Sequence, residues 1–166
     1  MTALAGGEGR AEAPGKPSRG IPASVLFLCG MNAVRSPMAE QIARRMLPRD
    51  IFVASAGVRP GERDPFVDAV QAEKGLSLGA REPRLLEDLE DAYFDLIVTL
   101  APEAHHAALE LTRSLAVDVE YWPTADPTSA SGTREQILAA YRDVRDRLEA
   151  RIRQRFADAE TVPGRK

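Results

Sequence analysis

The chain alternates between two hydrophobic periods. Residues 24–29 (SVLFLC) form a short continuous apolar run, the pattern of a strand buried on both faces of a parallel sheet. From Ser36 onward apolar positions recur at helical spacing, as Met38, Ile42 and Met46 with Ala39 and Ala43 beside them. Ser36 is placed to cap that helix and Pro37 to take its first position. Residues 51–55 (IFVAS) read as a second strand. Asp64 and Pro65 open a second helix through Phe66, Ala69 and Val70 that stops near Gly75. The stretch RLLEDLED adds a helical turn. Residues 94–100 (FDLIVTL) are a third strand, and Pro102 opens a helix to about Leu115. Residues 117–122 (VDVEYW) alternate as a fourth strand. The last helix has the clearest period, Ile137, Tyr141, Val144, Leu148, Ile152 and Phe156, with a capping box formed by Thr133 and Gln136.

Four strands, each followed by a helix, predict an α/β fold: a four-stranded parallel sheet, doubly wound, with right-handed crossovers and helices on both faces. Ligands of such sheets bind at the carboxyl ends of the strands, near a topological switch point. The search for chemistry therefore narrows to residues 30–35, 56–64, 99–102 and 123–132.

Composition bounds this picture. A length of 166 residues suits one domain. Residues 1–22 hold five Gly and three Pro with few large apolar groups, so they are expected to be a disordered leader. The folded unit is expected over residues 23–156, with residues 157–166 as a frayed tail. No apolar run approaches the ~18 residues that span a bilayer, and the first residues lack the apolar core of a signal peptide. The expected setting is cytoplasmic and reducing, away from membranes. The net charge is −3, which does not suggest nucleic-acid binding. Arginines outnumber lysines 19 to 3, but they mix with acids, as in YRDVRDRLEARIRQR, and form no uniform basic face; the bias reads as codon usage in a GC-rich genome.

Cys29 is the only cysteine. That excludes an intramolecular disulfide, a Cys-rich zinc site and a two-thiol redox cycle within one chain. It ends the first strand, and Arg35 follows six residues later at a Ser-Pro helix start, in the segment CGMNAVRSP. A loop of this length curls so that successive backbone N–H groups point inward at a helix N-terminus, a nest for a tetrahedral oxyanion. Gly30 and Asn32 tolerate the unusual backbone angles such a nest needs. Arg35 offers a planar fork of donors to two phosphate oxygens. A helix N-terminus and a guanidinium favour the thiolate, which would then face phosphorus. The competing reading makes Cys29 an inert buried thiol and Arg35 a surface cation.

The segment VLFLCGMNAVRSPMAE resembles the phosphate-binding loop of the low-molecular-weight protein tyrosine phosphatases. The resemblance extends through Ser55, Ala56 and Gly57, through FDLIVTL and to Asp126-Pro127, covering about residues 24–156. It implies a flavodoxin-like three-layer sandwich, no metal, no cofactor and a phosphocysteine intermediate. Carried over by position, Cys29 is the nucleophile and Arg35 the phosphate clamp, with Gly30, Met31, Asn32, Ala33, Val34 and Ser36 completing the phosphate-binding loop. Asn32 holds the loop's shape, and Ser36 hydrogen-bonds the thiolate.

A leaving alkoxide or phenoxide needs a proton, and a positioned carboxylic acid is the usual donor. Two Asp-Pro pairs lie in loops after strands. Asp64 runs straight into a helix and reads as its cap. Asp126 is followed by loop residues, and Thr133 already caps the next helix, so Asp126 is the freer carboxylate; the family's general acid matches it. Its alternative role is an Asx turn ahead of Pro127.

The family loop usually has Gly at its third position and often a second Cys before the Arg; here those places hold Met31 and Val34. Thr128 and Ser129 stand where many relatives carry aromatic residues. His105 and His106, the only histidines, fall inside a helix after the third strand and read as exposed or half-buried helix positions. Tyr121 and Trp122 read as core residues or as a wall of the cleft, and Arg59 as a solvated arginine or a substrate contact. The sequence thus predicts a phosphomonoester hydrolase acting on a phosphorylated protein, with phosphotyrosine first, or on a small phosphomonoester, as a monomer or weak dimer. The alternatives are an arsenate reductase resolved by an external low-molecular-weight thiol, and a non-catalytic phosphate- or phosphoprotein-binding relative.

Overall fold

The structure is a computed structural model that describes residues 21–89 and 93–157. Nearly all of the expected leader and tail (residues 1–20 and 158–166), and the end of the turn in RLLEDLED, lie outside the described residues.

Four strands, β1 (Ser24–Cys29), β2 (Phe52–Gly57), β3 (Leu96–Thr99) and β4 (Asp118–Tyr121), form one sheet in the order β2-β1-β3-β4. Every pairing is parallel. Four helices follow them in turn: α1 (Arg35–Met46), α2 (Pro65–Ala72), α3 (Pro102–Leu111) and α4 (Arg134–Arg155). Two 3₁₀ turns, Leu86–Leu89 and Pro127–Ser129, complete the elements. Strand residues point alternately to the two faces, which divides the core. Val25, Phe27 and Cys29 pack with α1, α2 and α4, whereas Leu26 and Leu28 pack with α3. Helices therefore cover both faces, as the apolar runs predict. Among the described residues no helix is long and apolar enough to cross a membrane.

The chain leaves β1 toward β2 on one side and returns to β3 on the other. The carboxyl end of β1, where Cys29 sits, is thus the switch point of the sheet.

The local signals act largely as expected. Thr133 and Gln136 form the reciprocal capping box of α4. Asp64 caps α2 by accepting from Phe66 N at 2.8 Å. Gly75, at φ 75°, ends the same helix with Leu76 N donating to Gln71 O, a left-handed stop. Several boundaries differ. α3 stops at Leu111 rather than near Leu115, and hydrogen-bonded turns carry the chain on to Leu115. β2 extends to Gly57 because Gly57 pairs with Cys29. β3 is shorter than residues 94–100: Phe94 fills the second core before pairing begins, and Leu100 bonds Leu28 O just past the ladder.

Candidate active site

The loop between β1 and α1 is held in shape from three sides. Asn32 takes the left-handed conformation, at φ 56°, and is buried. It is the only described non-glycine residue with positive φ, and Gly30 does not share the conformation, so the unusual backbone falls on one of the two residues expected to bear it. The Asn32 amide nitrogen donates to Ser36 Oγ and Ser55 Oγ, each at 2.9 Å, and its oxygen accepts from Arg84 N at 2.9 Å. Both amide hydrogens and the carbonyl are engaged, which fixes the side chain and the turn it belongs to.

Behind Asn32 lies a buried charged brace. Glu40 on α1 is fully buried and accepts at Oε1 from Ser55 Oγ and from Arg81 Nη1, each at 2.6 Å. Arg81 Nη2 also donates to Ser55 Oγ at 3.0 Å, and Arg44 lies 3.0 Å from Glu40 Oε2. The hydroxyl hydrogen of Ser55 is directed to the carboxylate, so Ser55 receives the Asn32 amide only as an acceptor. Sequence reasoning missed Glu40 and Arg81. The available signal was an acid on the buried stripe of SPMAEQIA, where a charge requires a partner.

Ser36 corrects an expectation. It does not cap α1: the helix begins at Arg35, and Val34 occupies the N-cap position without a side-chain cap. Pro37 is accordingly the third helical residue rather than the first. The Ser36 hydroxyl instead turns inward, 2.9 Å from Cys29 Sγ, with Ala56 O at 3.3 Å as its other neighbour. It accepts from Asn32, so its single hydrogen can go either to Ala56 O or, when Cys29 is a thiolate, to the sulfur. The uncapped first turn leaves backbone N–H groups for an anion.

The end of β2 presses on the loop from the side. Val58 N and Arg59 N donate to Gly30 O at 2.8 and 2.9 Å. A Cβ on Gly57 would lie 2.6 Å from both Asn32 N and Met31 C, so only glycine fits there. Met31 leaves the cradle rather than crowding it: the residue is 39% exposed and stands against Gly61, where an added Cβ would come within 2.5 Å of the Met31 Cβ.

Arg35 spans the site. Its Nη1 donates to Thr124 O at 3.0 Å, and its Nη2 lies 3.8 Å from Asp126 Oδ2. Asp126 is both things the sequence allowed. It caps the short turn Pro127–Ser129, accepting at Oδ1 from Thr128 N at 3.0 Å and Thr128 Oγ1 at 2.7 Å. Its other oxygen faces the clamp. Burial pushes this carboxyl up, but the two Thr128 hydrogen bonds and Arg35 outweigh burial and hold it below the usual aspartate value. Asp64 is fully used as a cap and as acceptor of the Tyr141 hydroxyl at 2.7 Å.

Cys29, Arg35, Asp126 and the loop residues 30–36 are thus brought together, and the histidines are not. His105 bonds Thr99 Oγ1 at 3.0 Å and stacks on Tyr121 at 4.6 Å. Trp122 is buried as a core residue, edge-on to Phe27, whereas Tyr121 is exposed. Arg59 is not simply solvated: it forms a two-pronged pair with Glu103 at 2.6 and 3.1 Å, directly over Gly30. That pair, led by the hydrogen bond itself, draws the Glu103 carboxyl below its ordinary value.

Residues 24–162 match the model of the family described as low molecular weight phosphotyrosine protein phosphatase. The chain belongs to this family. It is 31% identical over 137 residues to the arsenate reductase of Bacillus licheniformis, across 81% of this chain and 95% of that protein. Among solved structures it is similar to the tyrosine phosphatase AmsI of Erwinia amylovora (TM-score 0.67, 24% identity, 85% of this chain and 95% of that one). It is also similar to the arsenate reductase of Archaeoglobus fulgidus (TM-score 0.55, 31% identity, 77% and 98%). The proteins it is similar to thus include tyrosine phosphatases and arsenate reductases, and the protein is a member of this enzyme family.

Proposed function

We propose that the protein is a phosphomonoester hydrolase working through a phosphocysteine. The observation that supports this is Arg35, which reaches from the end of the Cys29 loop to within 3.8 Å of Asp126 Oδ2, as a phosphate clamp between a nucleophile and an acid would. In the first step the Cys29 thiolate attacks phosphorus in line. The S–P bond forms, the P–O ester bond breaks, and Asp126 gives its proton to the leaving oxygen. Arg35 and the loop N–H groups hold the three equatorial oxygens through the transition state. In the second step Asp126 takes a proton from water, the water oxygen attacks phosphorus, and the thiolate leaves with a hydrogen bond from Ser36. One thiol completes this cycle, and the chain has one. The family match makes phosphotyrosine in proteins the first substrate class to test and small phosphomonoesters the second.

The relatedness to arsenate reductases at 31% identity favours a second reading. Arsenate has the tetrahedral shape of phosphate and suits the same cradle. Its reduction to arsenite consumes two electrons, so with Cys29 alone in the chain the reductant must be an external thiol that ends as a disulfide.

Hydrolysis of p-nitrophenyl phosphate separates the two. The hydrolase reading expects turnover that Cys29→Ser abolishes and that Asp126→Ala lowers by about 10²–10⁴-fold. Thiol-dependent arsenate turnover with no phosphate hydrolysis establishes the second reading, and phosphate binding without either turnover leaves a binding module.

A further inference from the structure

Asp126 has two chemically distinct oxygens. Oδ1 accepts from the Thr128 backbone N–H at 3.0 Å and from the Thr128 hydroxyl at 2.7 Å. Oδ2 carries neither bond and faces Arg35 Nη2 at 3.8 Å. A proton on Oδ1 would meet two donors already directed at it; a proton on Oδ2 would not. The turn that presents Thr128 is fixed by Pro127, which is buried, and by Ala130 N donating back to Pro127 O.

We infer that Thr128 is the positioning residue of the acid, tying down Oδ1 so that Oδ2 is the atom that hands over and takes back the proton. This rests on the hydrolase reading. In the forward step the Oδ2–H bond breaks as the leaving oxygen gains the hydrogen. In the return step Oδ2 regains a hydrogen from the attacking water. The hydroxyl bond also stabilises the charged form, with Arg35 of α1 acting in the same direction. Among the described residues, Tyr141 of α4 also lies within electrostatic reach of Asp126, and burial and its bond to Asp64 keep it protonated. The acid form of Asp126 is therefore populated on the acidic side, and Thr128 sets how far.

Two measurements test the inference. The first uses the ligand-free protein: the Asp126 carboxyl ¹³C titration moves to higher pH in Thr128→Val and returns to the wild-type position in Thr128→Ser. An unmoved titration in Thr128→Val overturns the proposal, whether or not the protein hydrolyses anything. The second follows kcat/KM against pH for aryl phosphates of graded leaving-group pKa. In Thr128→Val the alkaline limb moves up, and the deficit grows with leaving-group pKa while the dinitrophenyl ester is spared, because a good leaving group needs no proton. An equal loss for every ester, with the pH profile unchanged, means that the turn is merely structural and overturns the proposal. Absence of turnover in the wild type instead defeats the hydrolase reading, and the carboxyl titration still decides what Thr128 does to Asp126.

Discussion

Replacing Gly57 by alanine tests whether the phosphate loop takes its shape from the strand beside it. The added Cβ would lie 2.6 Å from Asn32 N and from Met31 C, and 2.9 Å from Gly30 O. Ordinary contact needs about 3.5 Å, so strand or loop must yield by roughly 0.9 Å. All three neighbours are backbone atoms, so no flexible side chain can absorb the shift. They belong to the loop that would cradle phosphorus in the proposed reaction, and a misplacement of about 1 Å is enough to cost about 100-fold in rate. The strain should also lower stability by about 1–3 kcal/mol, which leaves a folded domain. The assay is kcat/KM for p-nitrophenyl phosphate, with inorganic phosphate affinity by calorimetry and Tm as the control for folding. Gly30→Ala is the paired comparison. Its Cβ would meet only the ends of Glu103 and Arg59, at 3.2 and 3.3 Å, and those side chains can swing aside. Gly57→Ala is expected to lose about 100-fold in kcat with phosphate binding weakened, and Gly30→Ala to remain close to wild type. A fully active Gly57→Ala, or a larger loss in Gly30→Ala, would refute the view that β2 moulds the loop.

Three further outcomes follow from the same geometry. Glu40→Ala leaves Arg81 without its buried carboxylate and Ser55 without its acceptor, so urea unfolding should show a loss of about 3–5 kcal/mol, and a loss under ~1 would mean the brace is dispensable. Glu73 is held at about 2 by hydrogen bonds from Arg142 and Arg145, below its unfolded value; its contribution is complete above that unfolded value and disappears as pH falls toward about 2, so Tm measured across acid pH should fall less steeply in Glu73→Gln than in wild type. With Val34 before Arg35 and one thiol in the chain, peroxide oxidation of Cys29 cannot be trapped as an internal disulfide, and activity should return only when an external thiol is present before the sulfinic acid forms; full recovery without thiol would show that Cys29 is not essential.

The strands and the location of the site were legible because both are local signals. VLFLC is a continuous apolar run and LIV a shorter one, the pattern of strands buried on both faces, and CGMNAVRSP joins the first run directly to a helix start. The contrast between the two Asp-Pro pairs is also local: Asp64 caps α2 and accepts from Tyr141, whereas Asp126 caps only the short turn Pro127–Ser129 and leaves Oδ2 facing Arg35. What failed were local rules overridden by tertiary partners. Ser36 has the sequence context of an N-cap, yet its hydroxyl finds Cys29 Sγ and Asn32 across the loop, and the helix starts two residues earlier. Glu40 and Arg81 are separated by 41 positions, and no periodicity links them.

Met31 shows how such long-range compensation works at the site itself. Its loop position is one where the family usually places glycine, and a side chain there reads as an obstruction of the phosphate cradle. Two glycines facing it, Gly57 at the end of β2 and Gly61 on the β2–α2 connection, change that reading. Gly57 admits the loop backbone, and Gly61 admits the Met31 side chain, whose Cβ occupies the space a residue-61 side chain would need. The close approach is retained by placing the small residue on the opposite side of the contact. Asn32 can then keep its left-handed turn and Ser36 its reach to Cys29. The shape of the loop is therefore a property of residues 31, 57 and 61 together, and placing glycine at position 31 alone would open a gap against Gly61.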